Sequence, residues 1–238
     1  MNAVELSPAE RIALAIDVPS KKDGRKFIEL AADMGLLVVK FEALQIATEW
    51  EYYVKATEKK GLQYIADLKS HTTPSSTVLA VRKMVENDYP PIAITMHIAS
   101  GKEAMQRAQE AAGDIAVLGV ALLTTDNQQE TFEEYGLTRD ELMSRRTHKA
   151  ARAGLKGVVC SPLDINKVKL DLETRDLYTL VTGVRLPGSE THEQANVASP
   201  EDAIRGGADL VVVAREVLEA DNPGEMLSRI INRVEEAA

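Results

Sequence analysis

The stretch Gln63-Tyr64-Ile65-Ala66-Asp67-Leu68-Lys69-Ser70-His71-Thr72-Thr73-Pro74 is a short apolar run that ends in charge. Gln63–Asp67 has the length of a strand. Residues two apart on a strand share a face, so Asp67 and Lys69 are expected to project to the same side. Further runs of the same kind are Ile12–Ile16, Leu36–Phe41, Ile92–Met96, Ile115–Val120, Gly157–Val159, Thr179–Val181 and Leu210–Val213. They are near-continuous and rich in Val, Ile and Leu, the pattern of parallel strands covered on both faces. Helix-like stretches with apolar residues three and four apart lie between them, at 22–34, 75–86, 102–112, 138–153, 199–205 and 222–236. Ser199-Pro200-Glu201-Asp202 and Asp221-Asn222-Pro223 read as helix starts, and Gly113, Gly154 and Gly206-Gly207 as stops. Eight strands alternating with helices predict an α/β chain, a single (β/α)₈ TIM barrel over residues 1–238. A doubly wound dinucleotide-binding sheet is the competing arrangement, but no Gly-x-Gly-x-x-Gly follows the first run.

In such a barrel the reacting groups sit just past the C-terminal ends of the strands. Here the first run ends in Asp17 and the second holds Lys40. The third ends in Asp67 and Lys69, and the fourth in His97. The fifth runs out to Thr124-Thr125-Asp126, the sixth to Cys160-Ser161 and the eighth to Arg215. A carboxylate and an ammonium turned into the barrel mouth need partners, and Lys40 can join Asp67 and Lys69. The long polar segment Gly183 to Asn196 reads as a loop able to close over a ligand. Arg215, after the last strand, reads as a phosphate partner, because the loops after strands seven and eight often hold phosphate.

Composition narrows the partners. The net charge of −9 argues against a nucleic acid, which demands an excess of Lys and Arg. The apolar runs are too short to cross a membrane, and the N-terminus lacks the basic and apolar segments of a signal peptide. A lone cysteine, Cys160, allows no internal disulfide and fits a reducing cytoplasm. Cys160 reads as a small buried residue. His71 reads as a supporting neighbour of the site and His97 as a hydrogen-bonding plug of the mouth, while His148 and His192 read as exposed. The four histidines have no metal-ligand spacing. Trp50, Tyr52 and Tyr53, on an expected second helix, read as packing residues or as part of a subunit interface, and the acidic run 130–134 as a solvated face.

Taken in order, Leu14-Ala15-Ile16-Asp17, Val39-Lys40, Ala66-Asp67-Leu68-Lys69-Ser70-His71, Thr95-Met96-His97, Gly119-Val120-Ala121-Leu122-Leu123-Thr124-Thr125, Gly157-Val158-Val159-Cys160-Ser161-Pro162 and the last quarter resemble the orotidine 5′-monophosphate decarboxylase family. The resemblance implies a cofactor-free, metal-free decarboxylase of a pyrimidine nucleotide, working as a homodimer. It implies that Asp17 holds a ribose hydroxyl and that Lys40 orients ribose and the charges. Asp67 would face the substrate carboxylate, and Lys69 would protonate the carbon that loses CO₂. Thr125 would read the pyrimidine edge, and Gln194, Ala214 and Arg215 would bind the phosphate. The pattern departs from the family at Thr72, where a second Asp is expected to reach across the dimer. Ala214 and Glu216 stand where Gly and Pro are usual, and the Pro-Gly-Ile-Arg turn is shortened to Gly183-Val184-Arg185. Two alternatives stay open. One is a superfamily relative such as a phosphosugar decarboxylase or hexulose-phosphate synthase, whose Mg²⁺ site Thr72 would weaken. The other is a non-catalytic nucleotide-binding protein.

Overall fold

The computed structural model describes residues 6–188 and 196–237. The strands are β1 (Ile12–Ala15), β2 (Val38–Glu42), β3 (Gln63–Ser70), β4 (Ala93–His97), β5 (Ala116–Val120), β6 (Gly157–Cys160), β7 (Tyr178–Val181) and β8 (Leu210–Val213). They close as a parallel barrel in chain order, β8 pairing back on β1 through Ile12↔Val211. The expected (β/α)₈ fold is therefore the observed one. Around it run α1 (Lys21–Asp33), α2 (Ala43–Lys59), α3 (Pro74–Val85), α4 (Lys102–Ala112), α5 (Gln128–Tyr135), α6 (Arg139–Arg152), α7 (Ile165–Lys169), α8 (Pro200–Arg205), α9 (Arg215–Leu218) and α10 (Pro223–Glu235). Among the described residues, no helix is long and apolar enough to cross a membrane.

Local chemistry explains the boundaries. Ser199 accepts from the Asp202 backbone N–H at the start of α8, and Asn222 accepts from that of Glu225 at the start of α10; Pro200 and Pro223 then open the helices. Gly113 and Gly154 end α4 and α6 with φ of 59° and 78°, a region that costs an L side chain. The sequence reading gives no range for α2, α5, α7 or α9. The acidic run at 130–134 lies within α5, whose first turn is tied by Asn127 accepting from the Glu130 N–H.

Two apolar clusters share the sheet. One lies inside the barrel and includes Ala13, Ala15, Val38, Ile65, Ala93, Leu118, Val120, Val159, Leu180, Leu210 and Val212. The other lies between sheet and helices and takes the alternate residues, among them Leu14, Val39, Phe41, Tyr64, Ala66 and Ile94. Period-two alternation then sets what reaches the mouth. The inward series continue as Ala13-Ala15-Asp17, Val38-Lys40-Glu42, Ile65-Asp67 and Ala93-Thr95-His97, apolar below and polar above. Aromatic rings lock the strands that carry most of these charges. Phe41 on β2 packs against Tyr53 of α2 at 5.2 Å and Tyr64 of β3 at 5.9 Å, and Trp50 meets Tyr64 edge-on at 5.2 Å. Such pairs add about 0.5–1.5 kcal/mol each beyond the area they bury.

Candidate active site

A cavity of about 450 Å³ opens at the C-terminal end of the barrel. Asp17, Lys40, Asp67, Lys69, Ala214 and Arg215 line it, so six of the expected site residues converge there. Thr72 and Thr125 are exposed and lie outside its wall; Thr124 lines it instead. Gln194 and His192 fall outside the described residues. Where the chain returns, Asn196 donates to the carbonyls of Thr124 at 3.0 Å and Asp126 at 3.2 Å, tying the loop after β7 to the loop after β5.

One wall is a lattice of alternating charge. Lys40, only 3% exposed, donates through Nζ to Asp67 Oδ2 at 2.6 Å and also pairs with Glu42. Lys69 Nζ donates to the same Asp67 oxygen at 2.8 Å and pairs with the other oxygen of Glu42. Two ammonium groups thus face two carboxylates. Burial works against the Lys40 ammonium, but Asp67 and Glu42 outweigh it and hold its pKa above the ordinary value. Burial likewise works against the Asp67 carboxylate, and Lys40 and Lys69 outweigh it, keeping Asp67 well below the usual carboxylate range. Burial raises the Glu42 carboxyl; Lys40 pulls the other way and Asp67 adds to the rise.

Lys69 reaches this lattice by a route that simple alternation does not describe. The β3–β4 register shifts between Ala66 and Ser70, and Lys69 has φ of 45°, the only positive value among the described non-glycine residues. A backbone in that region costs about 1–3 kcal/mol and persists only where its surroundings hold it. Thr95 provides the hold. Its Oγ1 accepts from the Lys69 N–H at 2.9 Å and donates to Asp67 Oδ1 at 2.6 Å, while the residue is fully buried. Thr95→Val keeps the shape and leaves both partners unsatisfied, a cost of about 1–3 kcal/mol, so Tm is expected to fall by about 5 °C. Calorimetry reads this; an unchanged Tm would mean that Thr95 pins nothing.

The opposite wall carries two guanidinium side chains, those of Arg185 and Arg215. Arg185 is buried and donates from Nη1 to the Val184 carbonyl at 2.7 Å. Glu216 accepts from the Leu186 N–H at 3.0 and 3.1 Å and so fastens the segment after β7. Val120, Leu122, Leu123 and Val159 form an apolar side between the two walls. Ser161 is not part of the cavity wall. It donates to Asp164 at 2.6 Å, and Asp164 also receives both Arg139 Nη atoms at 2.7 Å, a buried clamp of α6 onto the loop after β6. Burial pushes the Cys160 thiol up, which keeps it in the unreactive thiol form. Burial lowers the His97 pKa, with the nearby His71 ring at 5.9 Å adding to the effect. Among the described residues, no three His, Cys, Asp or Glu side chains are arranged to hold a metal ion.

Sequence reasoning missed Glu42, Thr95 and Arg185 as parts of this site. Glu42 and Thr95 obey the same two-residue alternation that singles out Asp67, so a signal for them was present.

Comparisons with known proteins bear on this site. The sequence model of the "Orotidine 5'-phosphate decarboxylase / HUMPS family" matches residues 10–230. The orotidine 5′-phosphate decarboxylase of Anaeromyxobacter sp. (strain K) is 32% identical over 222 residues, covering 92% of this chain and 95% of that protein. That of Streptococcus sanguinis (strain SK36) is 32% identical over 228 residues, covering 93% and 96%. Among solved structures, an uncharacterized conserved protein from Geobacillus kaustophilus aligns with a TM-score of 0.77 at 21% identity, covering 94% of this chain and 99% of that one. The orotidine 5′-phosphate decarboxylase from Pyrococcus horikoshii OT3 aligns at 0.75 and 21%, with the same coverage. At that identity the structural likeness speaks for the fold alone.

Proposed function

The chain belongs to the orotidine 5′-phosphate decarboxylase / HUMPS family, and from that premise we propose that it converts orotidine 5′-monophosphate to uridine 5′-monophosphate without a cofactor. The observation that carries this reading is the Lys69 ammonium, held at the cavity wall by Asp67 and Glu42. Loss of CO₂ breaks a carbon–carbon bond and leaves its electron pair on the ring carbon. A fixed ammonium stabilises that charge as it develops and then delivers a proton to the carbon. CO₂ departs, Lys69 is left as the amine, and solvent returns its proton. Asp67 faces the substrate carboxylate and disfavours it relative to the departing CO₂. Lys40 fixes Asp67 and the ribose, and Asp17 takes a ribose hydroxyl. The apolar side formed by Val120, Leu122, Leu123 and Val159 suits the flat pyrimidine.

Arg215 and the backbone at Ala214 take the phosphate, and the family resemblance assigns Gln194, outside the described residues, to the same group. Thr125 and its neighbour Thr124 lie on the segment that reads the pyrimidine edge. Binding energy at the phosphate, remote from the reacting carbon, then supports the chemical step. Both carboxylates of the charged wall are committed to ammonium groups, which favours this chemistry over one that needs them for a divalent cation. The homodimer belongs to the same proposal. Leu44 and Leu79, 62% and 72% exposed on α2 and α3, are apolar side chains that a second subunit can cover.

The test is the fall in absorbance of orotidine 5′-monophosphate with purified protein, without added metal, and its suppression by 6-hydroxyuridine monophosphate. Inhibitable turnover is expected. Tight inhibitor binding without turnover would point to a nucleotide-binding relative, and neither would move the substrate to another phosphorylated compound. Arg215→Ala is expected to raise KM about 10- to 100-fold with a smaller effect on kcat, the size of a lost charge-assisted hydrogen-bond pair. An unchanged KM would remove Arg215 from the phosphate site.

A further inference from the structure

We propose that Glu42 is the second carboxylate of this site, a positioning residue that holds the Lys40 and Lys69 ammonium groups at once. The inference rests on the decarboxylase reading for its kinetic consequence and on geometry for its substance. Glu42 closes β2, and the β2–β3 register sets it directly beside Asp67. One of its oxygens meets Lys40 and the other meets Lys69. Its side chain is about a quarter exposed and lines the cavity, so the carboxylate spans the boundary between the buried Lys40 and the open Lys69. Asp67 cannot do this alone. It meets both ammonium groups through a single oxygen, Oδ2, while Oδ1 is taken by Thr95. With Glu42 counted, the two ammonium groups meet two carboxylates in direct contact and these four charges balance. Without it, Asp67 is left to contact both cations, with Asp17 acting only at longer range. Thr72, five positions past Asp67 in an exposed turn, brings no charge to Lys69. The charge balance at Lys69 is therefore met within one chain.

The groups facing Glu42 are Lys40 on its own strand, Asp67 and Lys69 on β3, and Asp17 beyond β1; Arg185 and Arg215 stand on the far wall. Because burial raises the Glu42 carboxyl above its ordinary value of 4.5, an acid limb in kcat is expected above that pH, and it should be missing from Glu42→Gln. In Glu42→Gln, kcat is expected to fall about 10- to 100-fold, the scale of a misplaced reacting group, while KM changes little.

A second readout needs no substrate. Competitive acylation by acetic anhydride at pH 8, read by peptide mass spectrometry, compares Lys69 with the exposed Lys22 in the same sample. An ammonium that has lost one of its two carboxylate contacts is less held and more open to the reagent, so Lys69 labelling is expected to rise about tenfold or more in Glu42→Gln. Glu42→Asp keeps the charge on a shorter arm and is expected to lie between the two, about threefold above the native protein. If the native protein fails to turn over orotidine 5′-monophosphate yet the labelling rises as stated, the role of Glu42 stands and the decarboxylase reading falls. Unchanged Lys69 labelling in a folded Glu42→Gln or Glu42→Asp protein would overturn the inference. So would equal labelling in the two variants, because packing rather than charge would then be at work.

Discussion

Lys69→Ala is expected to abolish the loss of orotidine 5′-monophosphate absorbance, a fall in kcat of about 10⁴-fold or more, since it removes both proton delivery and charge stabilisation. Folding should survive. Lys69 is one-third exposed, and the buried trio of Lys40, Asp67 and Thr95 keeps its own contacts. Lys69→Arg separates the two roles. A guanidinium keeps a positive charge but does not give up a proton at neutral pH. The Arg variant should therefore bind 6-hydroxyuridine monophosphate better than the Ala variant while remaining as inactive. Full turnover by Lys69→Ala would sink the mechanism. Turnover by Lys69→Arg alone would mean that another group supplies the proton.

The sequence makes this lysine legible because a charge inside an apolar run is costly and therefore informative. The same argument exposes Lys40 and Asp67. The barrel is legible for a related reason: strands covered on both faces must be apolar nearly throughout, and helices on their outer side must be amphipathic. The strand ends differ from the expected ones by at most three residues, and β8 matches at both ends, while β3 runs on through Lys69 to Ser70. What linear reasoning loses is geometry that departs from the ideal. Alternation predicts the Asp67–Lys69 contact, yet the contact is made across a register shift and a left-handed residue. Alternation turns Thr95 inward, but its role as the pin of that residue shows only in its two bonds. Glu42 stands where β2 passes into α2, and an acid there reads equally well as a helix start. Thr72 and Thr125 lie in bends and turns, whose side-chain directions no periodicity fixes, and both are exposed and outside the cavity wall. Glu216 gives no sign in the sequence that it holds the backbone of Leu186, thirty residues away.

Asp67→Asn is expected to damage stability and chemistry together, and the two effects can be separated. Asp67 is 4% exposed and accepts from Lys40, Lys69 and Thr95. An amide of the same shape leaves Lys40, almost wholly buried, with Glu42 as its remaining anionic contact. Removing one partner of a buried ion pair costs about 3–5 kcal/mol, so Tm should fall by about 10 °C in a chain of this size. The pH dependence has a definite sign. The folded pKa of Asp67 is depressed, so its contribution is present above the unfolded value of about 3.9 and is lost as pH falls through the folded value. The gap in stability between native and variant proteins should accordingly be full at neutral pH and close in strong acid; a gap that widens in acid would contradict the ion-pair account. For the chemistry, kcat should fall about 10³-fold, because Lys69 loses the group that aims it. The dissociation constant for the substrate then decides how Asp67 acts. If repulsion between Asp67 and the substrate carboxylate matters, the Asn variant binds orotidine 5′-monophosphate more tightly than the native protein while turning it over more slowly. If the affinity is unchanged, Asp67 acts through its hold on Lys40 and Lys69, and the neutrality of the four-charge wall, rather than strain in the substrate, is what the site uses.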